Sequence, residues 1–203
     1  TWAFRPVSDK RLVKRKEIPP ALRLKILATM AQLWDANPIA RRMVMRLVNY
    51  VVGDGIRLVA INGEEGSKER EQVQDVLDAF WADGRNQMDR RLPRWLAGYF
   101  TYGELCLRVT QNPATGLVRL AYVSPEQVFD VKSEPEDIEQ LTKVIIQPAG
   151  AMNESDFLKL DAVRVQEDPK DGKDKYGRRD GQAFYWAANI LPDMVRGRPS
   201  QLV

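Results

Sequence analysis

The spacing of apolar residues changes at Gly103, and this change constrains the fold more than any other feature of the chain. Before Gly103, apolar side chains recur at the three- and four-residue intervals of amphipathic helices. After it, Leu105, Leu107 and Val109 alternate with Cys106 and Arg108, as in a half-buried strand. The sequence therefore predicts an α+β protein in which N-terminal helices are followed by antiparallel strands and hairpins.

Capping signals divide the first half into four predicted helices. They are residues 21–36, a helix opened by Asn37-Pro38 and ended by Gly53, a helix opened by Ser67 and ended by Asp83-Gly84, and residues 89–102, with Pro93 in the first turn. An extended segment, 56–61, separates the second helix from the third. The predicted core-facing sets, in helix order, are Leu22, Ile26, Met30, Leu33 and Trp34; Ile39, Met43, Leu47, Tyr50 and Val51; Val73, Val76, Leu77, Phe80 and Trp81; Leu92, Trp95, Leu96, Tyr99 and Phe100.

The sequence of the second half of the chain predicts strands. Residues 105–109 and 117–123 form a hairpin across the turn at 112–116, and 128–131 and 141–147 are further strands. Residues 163–166 and 182–188 are a later strand pair flanking the polar loop 167–181.

Two residue types limit the chemistry. The chain has no histidine and one cysteine, which argues against Ser-His-Asp and Cys-His catalysis and against Cys- or His-rich zinc sites. Cys106 lies in an apolar alternating run, so we expect a buried, inert thiol and a reducing compartment. Gly53-Asp54-Gly55 follows a helix and fits a helix end better than a phosphate-binding loop. No cofactor, metal site or catalytic residue is predicted.

A metal-dependent nuclease remains an alternative. It would need carboxylates that converge with a lysine partner, and Glu104, Asp130 and Lys132 are the candidates. Nothing in their spacing requires that role, so solvated surface is the favoured interpretation. Acidic residues also cluster in 134–139 and 168–180, and the second set lacks the spacing of a calcium loop.

The first 20 residues form a predicted basic arm, and 21–203 a single domain. Trp2 and Phe4 lie outside any periodic pattern and are candidates to anchor the arm in a pocket of a neighbouring subunit. A solvated tail is an equally open interpretation, since runs of charged residues often bind nothing specific. The net charge of +3 is weak evidence for nucleic acid. The candidate residues for contact with a neighbouring subunit, the capsid or phosphates also include the basic residues Arg5, Lys10, Arg11, Lys14 and Arg15.

Three segments, in order, resemble the portal proteins of tailed bacteriophages, in particular their lambda-like branch. The first runs from Leu33-Trp34-Asp35-Ala36-Asn37-Pro38 to Val52-Gly53-Asp54-Gly55-Ile56-Arg57-Leu58. The second is Tyr99-Phe100-Thr101-Tyr102-Gly103-Glu104-Leu105-Cys106-Leu107, followed by the turn Val123-Ser124-Pro125-Glu126-Gln127-Val128. The third is Leu191-Pro192-Asp193-Met194-Val195-Arg196-Gly197-Arg198-Pro199-Ser200. The stretches 134–146 and 167–181 have no counterpart in the family.

This resemblance implies a structural subunit and not an enzyme. Portal subunits form a ring, usually of twelve, at one capsid vertex of the virion. The ring is assembled in the host cytoplasm, conducts double-stranded DNA during packaging and ejection, and binds the terminase large subunit, capsid and scaffold proteins and the head-tail adaptor. The chain would correspond to the arm and the wing-like region, with stem, clip and crown beyond residue 203, and Arg196 and Arg198 near the stem transition or the DNA. No membrane partner is expected. A basic nucleic-acid-binding module is the other alternative.

Overall fold

Four helices precede a six-stranded sheet in the computed structural model of the chain, which describes residues 18–61, 66–112, 114–134, 137–162, 182–190 and 194–199. The predicted α+β class is confirmed. Within these residues no helix has the length and hydropathy needed to cross a bilayer. The elements are α1 (Pro20–Ala36), α2 (Pro38–Val52), α3 (Lys68–Ala82), α4 (Met88–Tyr102), β1 (Glu104–Gln111), β2 (Val118–Val123), β3 (Val128–Ser133), β4 (Leu141–Ile146), a 3-10 turn (Glu154–Asp156), β5 (Leu158–Ala162) and β6 (Gln182–Ala187).

The predicted caps set the helix ends. The Asn37 side chain accepts hydrogen bonds from the backbone N–H groups of Ile39 and Ala40, at 2.9 and 3.2 Å, and so separates α1 from α2. Ser67 accepts from Arg70 N–H at the start of α3. Gly103 ends α4 at a φ of 81°, a left-handed conformation that favours glycine.

Several predictions for the helices are wrong. Pro93 lies inside α4 instead of in its first turn, because the helix begins at Met88 and not later. On α2, the residues in the core are Ala40, Val44 and Val48, and the predicted set Ile39, Met43, Leu47, Tyr50 and Val51 is exposed. Val44 and Val48 fit because they pack against the bulky Trp34 and Phe100 of α1 and α4. On α3, Val73 and Val76 are likewise exposed, while Leu77, Phe80 and Trp81 are partly buried.

The sheet has the strand order β2-β1-β6-β5-β4-β3. β1 is antiparallel to β2 and to β6, and β4 is antiparallel to β3 and to β5. The pairing of β5 with β6 is parallel, which the expectation of antiparallel strands did not include. β5 was not predicted, segment 56–61 is not one of the six strands, and the predicted strand 163–166 lies outside the described residues.

Buried Asn86 connects the helices to the β1–β2 hairpin. Its amide group donates to the carbonyl oxygens of Phe80 and Val118, at 3.3 and 2.9 Å, and its Oδ1 accepts from Leu120 N–H at 3.4 Å. Beside it, Met88 and Trp95 of the helical layer pack on β1 side chains. One polar side chain thus satisfies backbone groups from both layers, where each would be costly to bury unpaired.

Candidate functional site

Glu104, the first residue of β1, is a fully buried carboxylate with three cationic or phenolic partners. Arg23 Nη2 forms an ion pair with Oε1, Arg196 Nη2 lies 3.1 Å from Oε2, and the Tyr185 hydroxyl donates to Oε2 at 2.7 Å. Its side chain is 1% exposed, so the carboxylate is removed from water. A buried charge is stable only when it is paired and hydrogen-bonded, and these partners meet both conditions. We call Glu104, Arg23, Arg196 and Tyr185 the Glu104 cluster.

The cluster joins segments that are distant in sequence. Arg23 comes from α1, Tyr185 from β6, and Arg196 from the segment 194–199. The same guanidinium groups also bind main chain: Arg23 Nη2 donates to Pro125 O at 2.8 Å, and Arg196 Nη2 donates to Val128 O at 3.1 Å. The four side chains therefore fix the first helix, the sheet and the 194–199 segment to one another.

Arg196 also shows that the sheet is curved. β1 and β3 are separated in the strand order by β6, β5 and β4, yet one guanidinium reaches Glu104 on β1 and the carbonyl of Val128 on β3. A flat sheet would keep these strands about 19 Å apart, at the usual spacing between neighbours. Twist and curvature bring β1 and β3 closer together, and side chains of the strands form the larger core on this side.

Burial shifts the pKa values of the cluster in opposite directions. The pKa of Tyr185 lies well above 10, first because of burial and second because the Glu104 charge opposes a phenolate. The pKa of Arg23 is lowered by burial and by nearby Arg196, and Glu104 opposes that change. Neighbouring Cys106 is buried, as predicted, and burial raises its pKa to about 12.

Gly103 and Gly197 approach each other closely beside the cluster. The Gly103 carbonyl accepts a hydrogen bond from Ala188 N–H at 2.7 Å, and Arg198 N–H donates to Ala188 O at 2.8 Å. A Cβ on Gly197 would collide with Gly103 O, and one on Gly103 would collide with the carbonyl group of Arg198. Both positions thus require glycine for backbone contact.

The structure describes two of the predicted contact residues, Arg196 and Arg198, and not the others. Trp2, Phe4, Arg5, Lys10, Arg11, Lys14 and Arg15 all lie outside the described residues. Arg196, expected near a stem transition or DNA, has its guanidinium in the cluster with a side chain 11% exposed. Arg198 contributes its backbone: its carbonyl accepts from Asn189 Nδ2 at 3.1 Å.

The carboxylates considered for a nuclease have other partners. Glu104 is bound by guanidinium groups, and Asp130 Oδ1 accepts from the N–H of Val131 at 2.9 Å, while Lys132 is exposed. Across the described part of the chain, no group of three or more His, Cys, Asp or Glu side chains is placed to hold a metal ion. A carboxylate that already neutralises two arginines is a poor metal ligand, because a cation would have to displace them.

Sequence reasoning missed Arg23 and Tyr185. A signal for Arg23 was present: it precedes the buried residues Leu27 and Met30 by four and seven positions, which places it on the inward face of α1. An arginine on a buried helical face requires an acidic partner, and Glu104 in an apolar strand requires a base. Tyr185 gave no such signal, because aromatic residues are common in strands.

A second feature is the exposed face of α2. Ile39, Met43, Leu47, Tyr50 and Val51 lie at helical spacing, and we call them the α2 stripe. Ile39 is 71% exposed, Met43 61% and Tyr50 90%, so these side chains have little contact with the rest of the described chain. An exposed apolar face of this kind is typical of an interaction surface.

A groove of about 550 Å³ lies between α1, α2, α4 and β2. Trp34, Tyr102 and Tyr122 line it together with Arg91 and Arg94. The pKa of Arg91 is lowered, first by burial and then by the charge of Arg119. The groove therefore combines aromatic faces with positive charge.

No protein-family model matches the chain, and no curated protein matches its sequence.

Proposed function

We propose that this chain is a structural subunit of a phage portal, forming the arm and wing-like region of a ring at the capsid vertex through which DNA passes. The ring would bind terminase and, later, the head-tail adaptor. In this role the protein performs no chemistry; its function depends on a rigid fold and on surfaces that bind other copies.

One observation carries the proposal. Two of the three segments that resemble portal proteins meet at the Glu104 cluster: Gly103-Glu104 from the second segment, and Arg196-Gly197 from the third. The turn after β2 and the first residue of β3 join them, since the carbonyls of Pro125 and Val128 accept from Arg23 and Arg196. Residues that are separated in sequence but carry the resemblance thus form one structural unit, which supports the view that they belong together for a structural reason.

The cluster suits a subunit that bears mechanical load. A ring that conducts DNA must keep its subunits from deforming, and a buried network of ion pairs that crosses α1, β1, β3, β6 and the 194–199 segment resists relative movement of these elements. The exposed α2 stripe supplies the other requirement, a surface for association.

The test uses the whole protein that contains this sequence. Native mass spectrometry gives its subunit number, and negative-stain imaging gives its shape. A closed ring of about a dozen subunits with a central hole is expected, since a repeated heterologous contact that closes produces a ring. A stable monomer or dimer at micromolar concentration would reject the proposal.

The aromatic and basic groove favours a second candidate, a nucleic-acid-binding module. Arg91 and Arg94 beside Trp34 and Tyr102 are the residue types that bind phosphates and stack on bases. This candidate predicts that affinity for a DNA duplex or single strand falls steeply with salt, and that Arg94→Ala lowers the slope by about one. Salt-independent or absent binding would exclude it.

A further inference from the structure

We propose that the α2 stripe is the docking surface for α3 of a second copy of this chain. The inference deepens the proposed function and rests on it for the expectation that copies associate. The surfaces themselves follow from exposure and charge in the described residues.

The charge of α2 is positive throughout. The helix carries Arg41, Arg42 and Arg46, all exposed, and no acidic residue. Arg46 lies beside the stripe, three positions after Met43 and four before Tyr50. A partner for this face therefore needs apolar side chains with acidic ones next to them.

Such a face is present on α3. Glu69, Val73 and Val76 follow one another at helical spacing on its exposed side, and we call them the α3 patch. Val73 is 51% exposed and Val76 67%. The helix as a whole carries Glu69, Glu71, Asp75 and Asp78 against Lys68 and Arg70, so its charge is opposite to that of α2. The patch of one copy thus offers apolar surface to the stripe of another and places Glu69 where it can meet Arg46.

Other occupants fit less well. Pairing of α2 with α2 would bring two sets of three arginines together, and like charges at an interface are costly. The N-terminal segment 1–17 carries six basic and two acidic residues, so its net positive charge is repelled by the arginines of α2. Charge therefore selects the acidic helix of a second copy.

The contact is heterologous, since the two surfaces belong to different helices. Each copy would use its stripe on one neighbour and its patch on the other, and such contacts close into a ring or continue as a filament. This property gives a test in which two defective variants complement each other.

The variants are Leu47→Asp, which disables the stripe, and Val76→Asp, which disables the patch. Both residues are exposed, so both variants are expected to fold, with circular dichroism and thermal unfolding as the check. Asn49→Asp is the matched control: it adds the same charge at an exposed position of α2 outside the stripe. Sedimentation velocity on the 203-residue chain, up to about millimolar concentration, measures association, which at a dissociation constant near 1 mM is still detectable.

The wild type and Asn49→Asp should self-associate, and each of the other variants alone should associate at least about tenfold more weakly, because a carboxylate replaces an apolar group that the contact would bury. An equimolar mixture should form a 1:1 dimer and nothing larger, because only one intact stripe and one intact patch can meet. Three results would overturn the inference: a wild type that stays monomeric, a Val76→Asp variant that assembles as the wild type does, or a mixture without the dimer. Normal assembly by both variants would reject these surfaces without bearing on a ring formed by the whole protein, which imaging decides separately.

Discussion

Arg196 and Glu104, 92 positions apart in sequence, form an ion pair of 3.1 Å in the interior of the protein. The pair sets the position of the 194–199 segment, because Arg196 also binds Val128 O and Arg198 N–H binds Ala188 O. Removal of the water around these charges makes the pair costly to form and more costly to break. The segment is thus fixed by electrostatics as well as by packing.

Replacement of Glu104 by glutamine should destabilise the fold by about 3 kcal/mol, because two buried guanidinium groups lose their counter-charge. Urea unfolding followed by tryptophan fluorescence measures the change. Glu126→Gln is the control, since Glu126 is exposed, and its effect should stay within about 0.5 kcal/mol. In a cycle with Arg196→Met, a coupling energy near zero would contradict the ion pair seen here.

Gly197→Ala should destabilise the protein by about 2 kcal/mol or more, because the added methyl group would force the backbones of Gly103 and Gly197 apart. Gly84→Ala is a matched control with open space around its Cβ, and should change the stability by less than about 0.5 kcal/mol. Thermal unfolding of the two variants gives the comparison. Equal melting temperatures would show that the contact between the two glycines is not maintained in solution.

The sequence predicted where helices begin and end better than which way they face. Asn37, Ser67 and Gly103 act locally, through hydrogen bonds or a φ that each residue type favours, so their effects are visible in the sequence. α2 has two apolar faces. The face with the smaller side chains, Val44 and Val48, is the buried one because it fits against the neighbouring helices. That choice depends on tertiary packing, which a single helix does not encode.

The candidate site was predictable only in part. Glu104 was singled out, but as a candidate metal ligand. The two arginines that bind it come from the two ends of the described chain, so the local sequence does not indicate that they meet it. The parallel pairing of β5 and β6 was not predicted for a similar reason: residues 163–181, whose structure lies outside the described range, separate the two strands in sequence. Long-range pairings of this kind are set by the whole fold.

Asn86→Ala should cost about 2 to 4 kcal/mol, because the carbonyls of Phe80 and Val118 and the N–H of Leu120 lose their partner in a buried place. The control is Asn49→Ala, an exposed helical position where alanine should be neutral or slightly stabilising. Amide hydrogen exchange adds a local measurement: Leu120 N–H should exchange faster in Asn86→Ala relative to the global unfolding rate. Unchanged protection at Leu120 would argue that Asn86 does not hold the hairpin.

Stability should fall as the pH rises above 9, and Cys106 should account for the first part of the fall. Burial raises the pKa of its thiol from 9.0 to about 12, so between these values the unfolded chain releases a proton that the native protein keeps. A group whose folded pKa is raised contributes stability that is complete below the unfolded pKa and is lost towards the folded one. The expected loss is about 1.4 kcal/mol for each pH unit in that window. Tyr185, whose pKa is also raised, adds to the slope above pH 10.

Urea unfolding at pH 8, 9, 10 and 11 on the wild type and on Cys106→Ala isolates the thiol, because the difference between the two proteins removes every other titrating group. The difference in free energy of unfolding between wild type and variant should narrow, or reverse in favour of the variant, as the pH rises from 9 to 11. A constant difference would mean that the Cys106 thiol ionises equally in the folded and unfolded states, and therefore that water reaches it in the native protein.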